Sequence, residues 1–247
     1  MRKLKSIRTN FVNGQEFAIS NPDDTIQQKF VKGTQWNKAG VRHIINLQKE
    51  YNLKHLLNIG AHMGSISIPL SKVFNKVTSV EPYPPNWQWL QYNIGLNNIT
   101  NIESYHYALG NSNETIYFSN ITRPLRNNSG GVHSLTQSDI DNKRKYGQQH
   151  STSYSNQMHK LDEVNIDNFD IIVMDVEGTE WEVIDGALQK IKSNKPFIIT
   201  EIWSNNKRKS EKLGSTREQM IEKIESIGYQ LYHSKKDDFY FKPCFVA

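Results

Sequence analysis

Three acids fall within six residues in Asp175-Val176-Glu177-Gly178-Thr179-Glu180, directly after the apolar run Ile171-Ile172-Val173-Met174. Two carboxylates this close can hold one pKa high enough for base chemistry near neutral pH. A further acid, Glu201, stands in Thr200-Glu201-Ile202-Trp203, where a buried charge is costly unless it is paired or lies at the wet end of a strand. Asp175, Glu177 and Glu201 are therefore the candidate catalytic acids, placed to converge on one pocket. Glu180 and Glu182 have a plainer explanation, since acids favour the first turn of a helix. Oxygens such as those of Asp175 and Glu177 also suit a hard divalent cation. Acids this close are common without one, and no metal is assigned.

A second constellation follows another apolar run, in Asn58-Ile59-Gly60-Ala61-His62-Met63-Gly64-Ser65. Gly60 lets the chain turn tightly and lets a ligand approach the backbone. Gly64 lies near a helix start, whose free N–H groups attract anions. The dinucleotide fingerprint G-x-G-x-x-G does not fit, because His62 occupies the second glycine position. That favours a smaller nucleoside carrying a carboxylate over a pyrophosphate. Glu81 comes 21 residues after Gly60. At that spacing a carboxylate can accept from both ribose hydroxyls. Pro82 and Tyr83 follow it and can line the adenine face.

These residues need strands that end together. Residues 54–59, 77–81, 102–107, 170–175 and 197–203 read as strands. Helices are expected over 39–50, 64–74, 85–97 and behind Thr179, where Trp181, Ile184, Leu188 and Ile191 repeat at helical spacing. Thr179 with Glu182, and the stretch Ser215-Thr216-Arg217-Glu218, read as capping boxes. Gly228 suits a helix stop, and residues 229–233 with 239–246 make a terminal hairpin around Asp237-Asp238. Residues 115–118 form a short extra strand, and 119–155 a long loop or a pair of weak strands. Strand–helix alternation with short links specifies a doubly wound, mostly parallel α/β sheet, in which ligands bind beyond the carboxyl ends of the strands. The expected division is an N-terminal extension over 1–38 and a single domain over 39–247.

Composition narrows the classes. The 247 residues carry 30 Lys and Arg against 25 Asp and Glu, a mild excess of +5 that permits an anionic partner without demanding one. One cysteine, Cys244, excludes an internal disulfide framework and any multi-cysteine metal site. No stretch approaches the roughly 20 apolar residues that span a bilayer, and the basic start is followed by no apolar run. The expectation is a cytoplasmic protein without signal peptide or transmembrane segment.

The chain resembles the FkbM family of S-adenosylmethionine-dependent methyltransferases. The likeness rests on Asn58-Ile59-Gly60-Ala61-His62-Met63-Gly64, on Glu81-Pro82-Tyr83-Pro84 with Asn93 and Asn97 behind it, on Tyr107-Ala108-Leu109-Gly110, and on Leu161-Asp162-Glu163 leading to Asp175-Val176-Glu177-Gly178-Thr179-Glu180. It covers roughly residues 40–205. The family usually has Asp where this chain has Asn58, which can accept a hydrogen bond but brings no charge. The resemblance implies the class I (Rossmann-like) methyltransferase fold with a seven-stranded sheet, the cofactor S-adenosyl-L-methionine, and a hydroxyl acceptor on a sugar, glycan or natural product. It assigns the cofactor to Asn58, Gly60, Ala61, His62, Gly64, Glu81, Pro82, Tyr107, Ala108 and Asp175, with Glu81 on the ribose and Ala108 by the adenine edge.

The expected reaction is O-methyl transfer in line from sulfur to oxygen, with Asp175 and Glu177 the leading bases and Glu201 next. His133 is a mobile alternative, though a surface histidine is the simpler reading. Two other classes compete. Lys143-Arg144-Lys145 and Lys207-Arg208-Lys209 suggest an RNA or other nucleic-acid methyltransferase, but each run reads more simply as a solvated loop, and nucleic acid is not the expected partner. A non-catalytic cofactor-binding module is the third class, motivated by Asn58.

Overall fold

A computed structural model of the chain describes residues 8–119, 131–132, 134–141, 152–166 and 168–244. From the amino end, β1 (Arg8–Val12) and β2 (Gln15–Ile19) form a hairpin, followed by α1 (Gln27–Val31) and α2 (Lys38–Tyr51). Then come β3 (His55–Ile59), α3 (Ser67–Leu70), β4 (Lys76–Val80), α4 (Pro84–Leu96) and β5 (Ile102–Tyr105). The middle of the chain carries β6 (Ala108–Leu109), β7 (Glu114–Ser119), β8 (Ser134–Thr136), α5 (Gln137–Asp141) and β9 (Thr152–His159). The last part runs through β10 (Ile171–Met174), α6 (Glu180–Asp185), α7 (Leu188–Asn194), β11 (Phe197–Glu201), α8 (Asn205–Ser210), α9 (Arg217–Ser226), β12 (Tyr229–Lys235) and β13 (Asp238–Pro243).

The apolar runs become strands buried on both faces, as a sheet covered by helices requires. Seven strands lie in the order β12-β13-β11-β10-β3-β4-β5. All the ladders from β11 through β5 are parallel, and β13 runs antiparallel between β12 and β11. This is the expected doubly wound sheet with a C-terminal antiparallel hairpin. Side-chain alternation divides the core: Ile172 and Met174 pack with Val183, Ile184 and Ile224 on one face. Ile171 and Val173 pack with Val41, Ile44 and Leu47 on the other. Strand order reverses between β3 and β10, and in such sheets that switch point opens a crevice beyond the strand ends.

Several local expectations are revised. The helix expected over 64–74 is regular only as α3, because Pro69 removes a backbone donor from its first turn. The helix behind Thr179 is two helices broken at Gly186, where a Cβ would come 1.8 Å from the Gly110 carbonyl oxygen. Thr179 makes no capping bond through its side chain. The C-terminal capping box lies one residue later than expected, between Thr216 and Gln219.

Residues 102–107 stop as a core strand at Tyr105, and Ala108–Leu109 joins β9, β7 and β8 in a separate four-stranded sheet. The weak strands expected within 119–155 are represented by β8 and the long β9. Residues 1–35, which carry little periodicity, supply the β1–β2 hairpin and α1. Phe17 stacks on Phe30 at 4.4 Å, and with Val12 and Ile26 they pack onto Met63 and Ile68. His133, Gly130 and Lys143-Arg144-Lys145 lie outside the described residues.

Candidate active site

The glycine turn follows β3. The N–H groups of Gly60 and Ala61 both donate to the Val80 carbonyl, at 2.9 and 3.0 Å, so the turn is tied to the end of β4. Gly60 has φ +83°, and a Cβ there would stand 1.9 Å from the Asp175 carbonyl oxygen. Gly64 has φ +92° and is packed by Ile68 and Leu90. Both glycines are thus required by the protein's own packing, which brings the ends of β3 and β10 into contact. Asn58 is spent on the same framework: its amide donates to Ser67 Oγ at 2.8 Å, and Ser79 Oγ donates to the same atom at 2.7 Å.

Glu81 is 5% exposed at the end of β4. Its Oε2 accepts from the His62 N–H at 2.7 Å and its Oε1 from the Tyr83 N–H at 2.9 Å. Burial pushes its pKa up to about 7, against the pull of these donors and of the Asn86 side chain. His62 holds its N–H there by adopting φ +51°. Burial lowers the His62 imidazole to about 4, so the ring is neutral at physiological pH, with Asp24 of the N-terminal segment nearby. Two backbone N–H groups and the Asn86 side chain occupy three of the roughly four lone-pair sites of the Glu81 carboxylate, which leaves one for a ligand donor. A ribose hydroxyl fits that site, and this is the fit of the residues present to a nucleoside.

Pro82 is held from the second sheet, its carbonyl accepting from Asn156 Nδ2 at 2.8 Å and from the His106 ring. Ala108 is buried against Ile116 and Phe118, with Tyr83 packed beside them. Tyr107 lies between Tyr105 and His159, at ring separations of 5.4 and 5.2 Å. These contacts place Pro82, Tyr107 and Ala108 where the large and small sheets meet.

The three catalytic candidates do converge. Carboxylate oxygens of Asp175, Glu177 and Glu201 all lie within 4.8 Å of one another, at the ends of the adjacent strands β10 and β11. That spacing suits shared protons and would also span a hard cation. Asp175 is an accessible group in a crowded recess. Burial, then Glu201 and Glu177, raise its pKa well above the ordinary carboxylate value. Glu177 takes the left-handed backbone at φ +55°. Burial first and Glu201 second push it up to about 8, with Lys207 opposing. Glu201 is raised less freely: burial drives it up, while the Trp203 indole and Lys207 pull it down.

Sequence reasoning missed the residues that hold this trio. Glu180 is more than a first-turn acid: at 2% exposure its Oε1 accepts from the N–H groups of Gly178 (3.1 Å) and Val176 (3.4 Å). It clasps the loop that presents Glu177, while Thr179 Oγ1 donates to the Val176 carbonyl instead of capping α6. Burial pushes Glu180 up to about 7. The Lys207–Lys209 run is not a solvated loop but half of α8. Arg208 within it is 2% exposed, donates to the Ser215 carbonyl at 2.7 Å, and faces Glu180 and Glu182. A buried arginine is invisible in a bare charge run. Its signal lay in the pairing of that run with the acids ahead of it.

A seven-stranded sheet in this order, with a glycine turn at its switch point and a buried acid on the adjoining strand, is the class I (Rossmann-like) methyltransferase fold. The methyltransferase FkbM domain matches residues 58–231, and the chain belongs to that family. Among solved structures it is similar to the methyltransferase FkbM from Methylobacillus flagellatus KT, with 19% identity and TM-score 0.49. That match covers 76% of this chain but only 43% of the Methylobacillus chain. M. jannaschii TYW2 in complex with AdoMet aligns at 14% identity and TM-score 0.45, over 98% of this chain and 89% of that one. The Pyrococcus abyssi tRNA (uracil-54, C5)-methyltransferase in complex with S-adenosyl-L-homocysteine aligns at 12% and TM-score 0.46, over 97% of this chain and 44% of that one. None of the curated proteins matches the chain. Among the described residues no helix is long and apolar enough to cross a membrane.

Proposed function

We propose that the protein is an O-methyltransferase acting on a hydroxyl of a sugar, glycan or natural-product-like acceptor. The observation that carries this reading is the convergence of Asp175, Glu177 and Glu201 within 4.8 Å, one strand away from the turn that fits a nucleoside. Glu81 would hold the ribose, with His62, Pro82 and Ala108 around the nucleoside and Gly60 and Asp175 at its methionine side. When bound, S-adenosylmethionine supplies a sulfonium methyl that passes to the acceptor oxygen, leaving S-adenosylhomocysteine.

The chain itself must align the acceptor and receive its proton. Orientation can supply about 7–11 kcal/mol. A positioned base adds about 10²–10⁴-fold, roughly 3–5 kcal/mol. An alcohol is a weak acid, so a carboxylate whose affinity for protons is raised suits the task better than an ordinary surface acid. The trio provides that, and the proton leaving the hydroxyl stays on one of its oxygens. A half-exposed aromatic wall supports a sugar-like acceptor: Tyr154 meets Tyr83 edge-on at 5.4 Å, and Tyr83 donates its N–H to Glu81. Such rings offer an apolar face and a polar rim.

The nucleic-acid reading loses its support at Lys207-Arg208-Lys209, because Arg208 is buried in protein bonds rather than free for phosphate. A labelled-methyl screen against glycans, lipids and RNA tests the proposal. In it Glu81→Ala weakens donor binding, whereas Glu177→Ala spares binding and slows turnover. Parent-like behaviour of both variants sinks the site, and methylation of RNA alone sinks the acceptor class.

A further inference from the structure

Glu201 is braced by two residues that the reaction does not otherwise use. The Trp203 indole N–H donates to Glu201 Oε2 at 2.5 Å, and Lys207 Nζ sits 3.4 Å from the centroid of the same ring. Trp203 is 1% exposed and cannot swing away. A Cβ on Gly178 would come 2.9 Å from Trp203 Cζ3, so the loop presenting Glu177 closes directly on this ring. Ser204 fixes the other end, its side chain accepting from the Lys207 N–H as the cap of α8.

We propose that Trp203 and Lys207 are positioning residues that hold Glu201 as an oriented carboxylate at the lip of the trio, making Glu201, rather than Asp175 or Glu177, the group that takes the acceptor proton. An indole can only donate, so it favours an oxygen with a free lone pair and therefore the ionised acid. An ammonium over the indole face is drawn to the ring quadrupole and adds its charge on the same side. The surroundings make this necessary. Glu201 is faced by Asp175 from β10, by Glu180 and Glu177 from the loop and α6, and by Asp237 and Asp238 from the β12–β13 turn. Asp237 is taken up by Arg217, and Asp238 accepts from the Asn37 side chain. Lys207 is the cation that acts on both Glu201 and Glu177. Without it and the indole, the crowded acids would keep Glu201 protonated and unable to accept.

This inference rests on the hydroxyl-acceptor reading for its chemistry, but its test needs neither donor nor acceptor. The full chain is labelled with glutamate carrying ¹³C at Cδ, the Glu201 resonance is assigned by its loss in Glu201→Gln, and the carboxyl shifts are followed with pH. In the parent, Glu201 titrates below Glu177. Trp203→Phe keeps the ring but removes the donor, and raises the proton affinity of Glu201 by about tenfold. Lys207→Gln raises it severalfold, and Lys207→Arg restores it. A purely packing role would leave the midpoint unmoved in folded variants. Should Trp203→Phe fail to fold, the two Lys207 variants decide alone. The proposal is overturned if Glu201 titrates above Glu177, or if its midpoint ignores these changes. An acceptor screen that finds no hydroxyl methylation would instead sink the function while leaving the titration intact.

Discussion

Gln35 donates from Nε2 to the Ser65 carbonyl at 2.7 Å, supplying a bond that the helix cannot make. The backbone partner four residues on from Ser65 is Pro69, which has no N–H. The N-terminal segment therefore completes the first turn of α3, directly after the glycine turn. Gln15 does the same further along, donating to the Ile68 carbonyl at 2.7 Å. Asn93 of α4 links the same parts, accepting from the Ala18 N–H at 2.9 Å and donating to the Met63 carbonyl at 3.0 Å. Gln35→Leu should destabilise the protein by about 1–3 kcal/mol, because a buried carbonyl loses its donor. The loss should be read in urea titrations. Binding of S-adenosylhomocysteine should weaken too, as the turn loosens. Unchanged stability would mean that another group reaches Ser65.

The ribose-holding role proposed for Glu81 predicts a pH limit on cofactor binding. Its carboxyl is pushed up to about 7 by burial. Below that pH it is protonated and loses the acceptor site left for a ribose hydroxyl. Calorimetry with S-adenosylhomocysteine should show affinity falling as pH drops from 8 to 6. In Glu81→Gln affinity should be lower throughout and nearly flat across the range. A parent affinity independent of pH would separate Glu81 from the ribose.

Glu177 and Glu180 should part company under substitution. Glu177 holds a left-handed backbone, which costs a non-glycine residue roughly 1–2 kcal/mol. Glu177→Gly relieves this but gives up some chain entropy, so stability should hold or rise by as much as about 1 kcal/mol. Turnover should nevertheless fall, by less than the roughly 10²-fold expected when Glu201, the proposed base, is itself removed. Glu180→Ala leaves two loop N–H groups without their acceptor and should cost about 1–3 kcal/mol. Melting curves beside methyl-transfer rates check both. A Glu177→Gly variant of full activity would remove that acid from the mechanism.

What the sequence showed depended on how local the signal was. Apolar runs ending at Gly60, Glu81, Asp175 and Glu201 marked the strand ends, because each strand buried on both faces must stop where a polar group appears. The trio was legible for the same reason. The second sheet was legible only as separate short strands, not as a sheet: its strongest ladder joins Glu114 to Met158 and Tyr117 to Ser155, and pairings so distant leave no trace in either segment alone. The β1–β2 hairpin was missed because its burial comes from one face, with Phe17 stacked on Phe30 of α1. Thr179 satisfied a capping pattern that the fold does not use. With φ of +55° and +101° at Glu177 and Gly178, the chain enters α6 by a turn that hands the free N–H groups to Glu180.

The buried acids also fix how stability should vary with pH. Glu81, Glu177 and Glu180 are raised to about 7, 8 and 7, whereas the unfolded chain releases these protons near 4.5. Between those values the folded form binds more protons, so stability falls as pH rises. His62 works the other way. Lowered to about 4, it binds a proton less well folded than unfolded, so its effect increases stability up to roughly pH 6.5 and then ends. The two trends oppose each other in acid, and only the carboxyl trend remains from about 6.5 to 8. In that window urea midpoints of the ligand-free protein should decline steadily and level off above it. Glu177→Gln should flatten the decline, since the neutral amide no longer titrates. A stability that rises or stays constant from pH 6.5 to 8 would show that these acids are ionised at no cost, and would remove the basis for proton sharing in the trio.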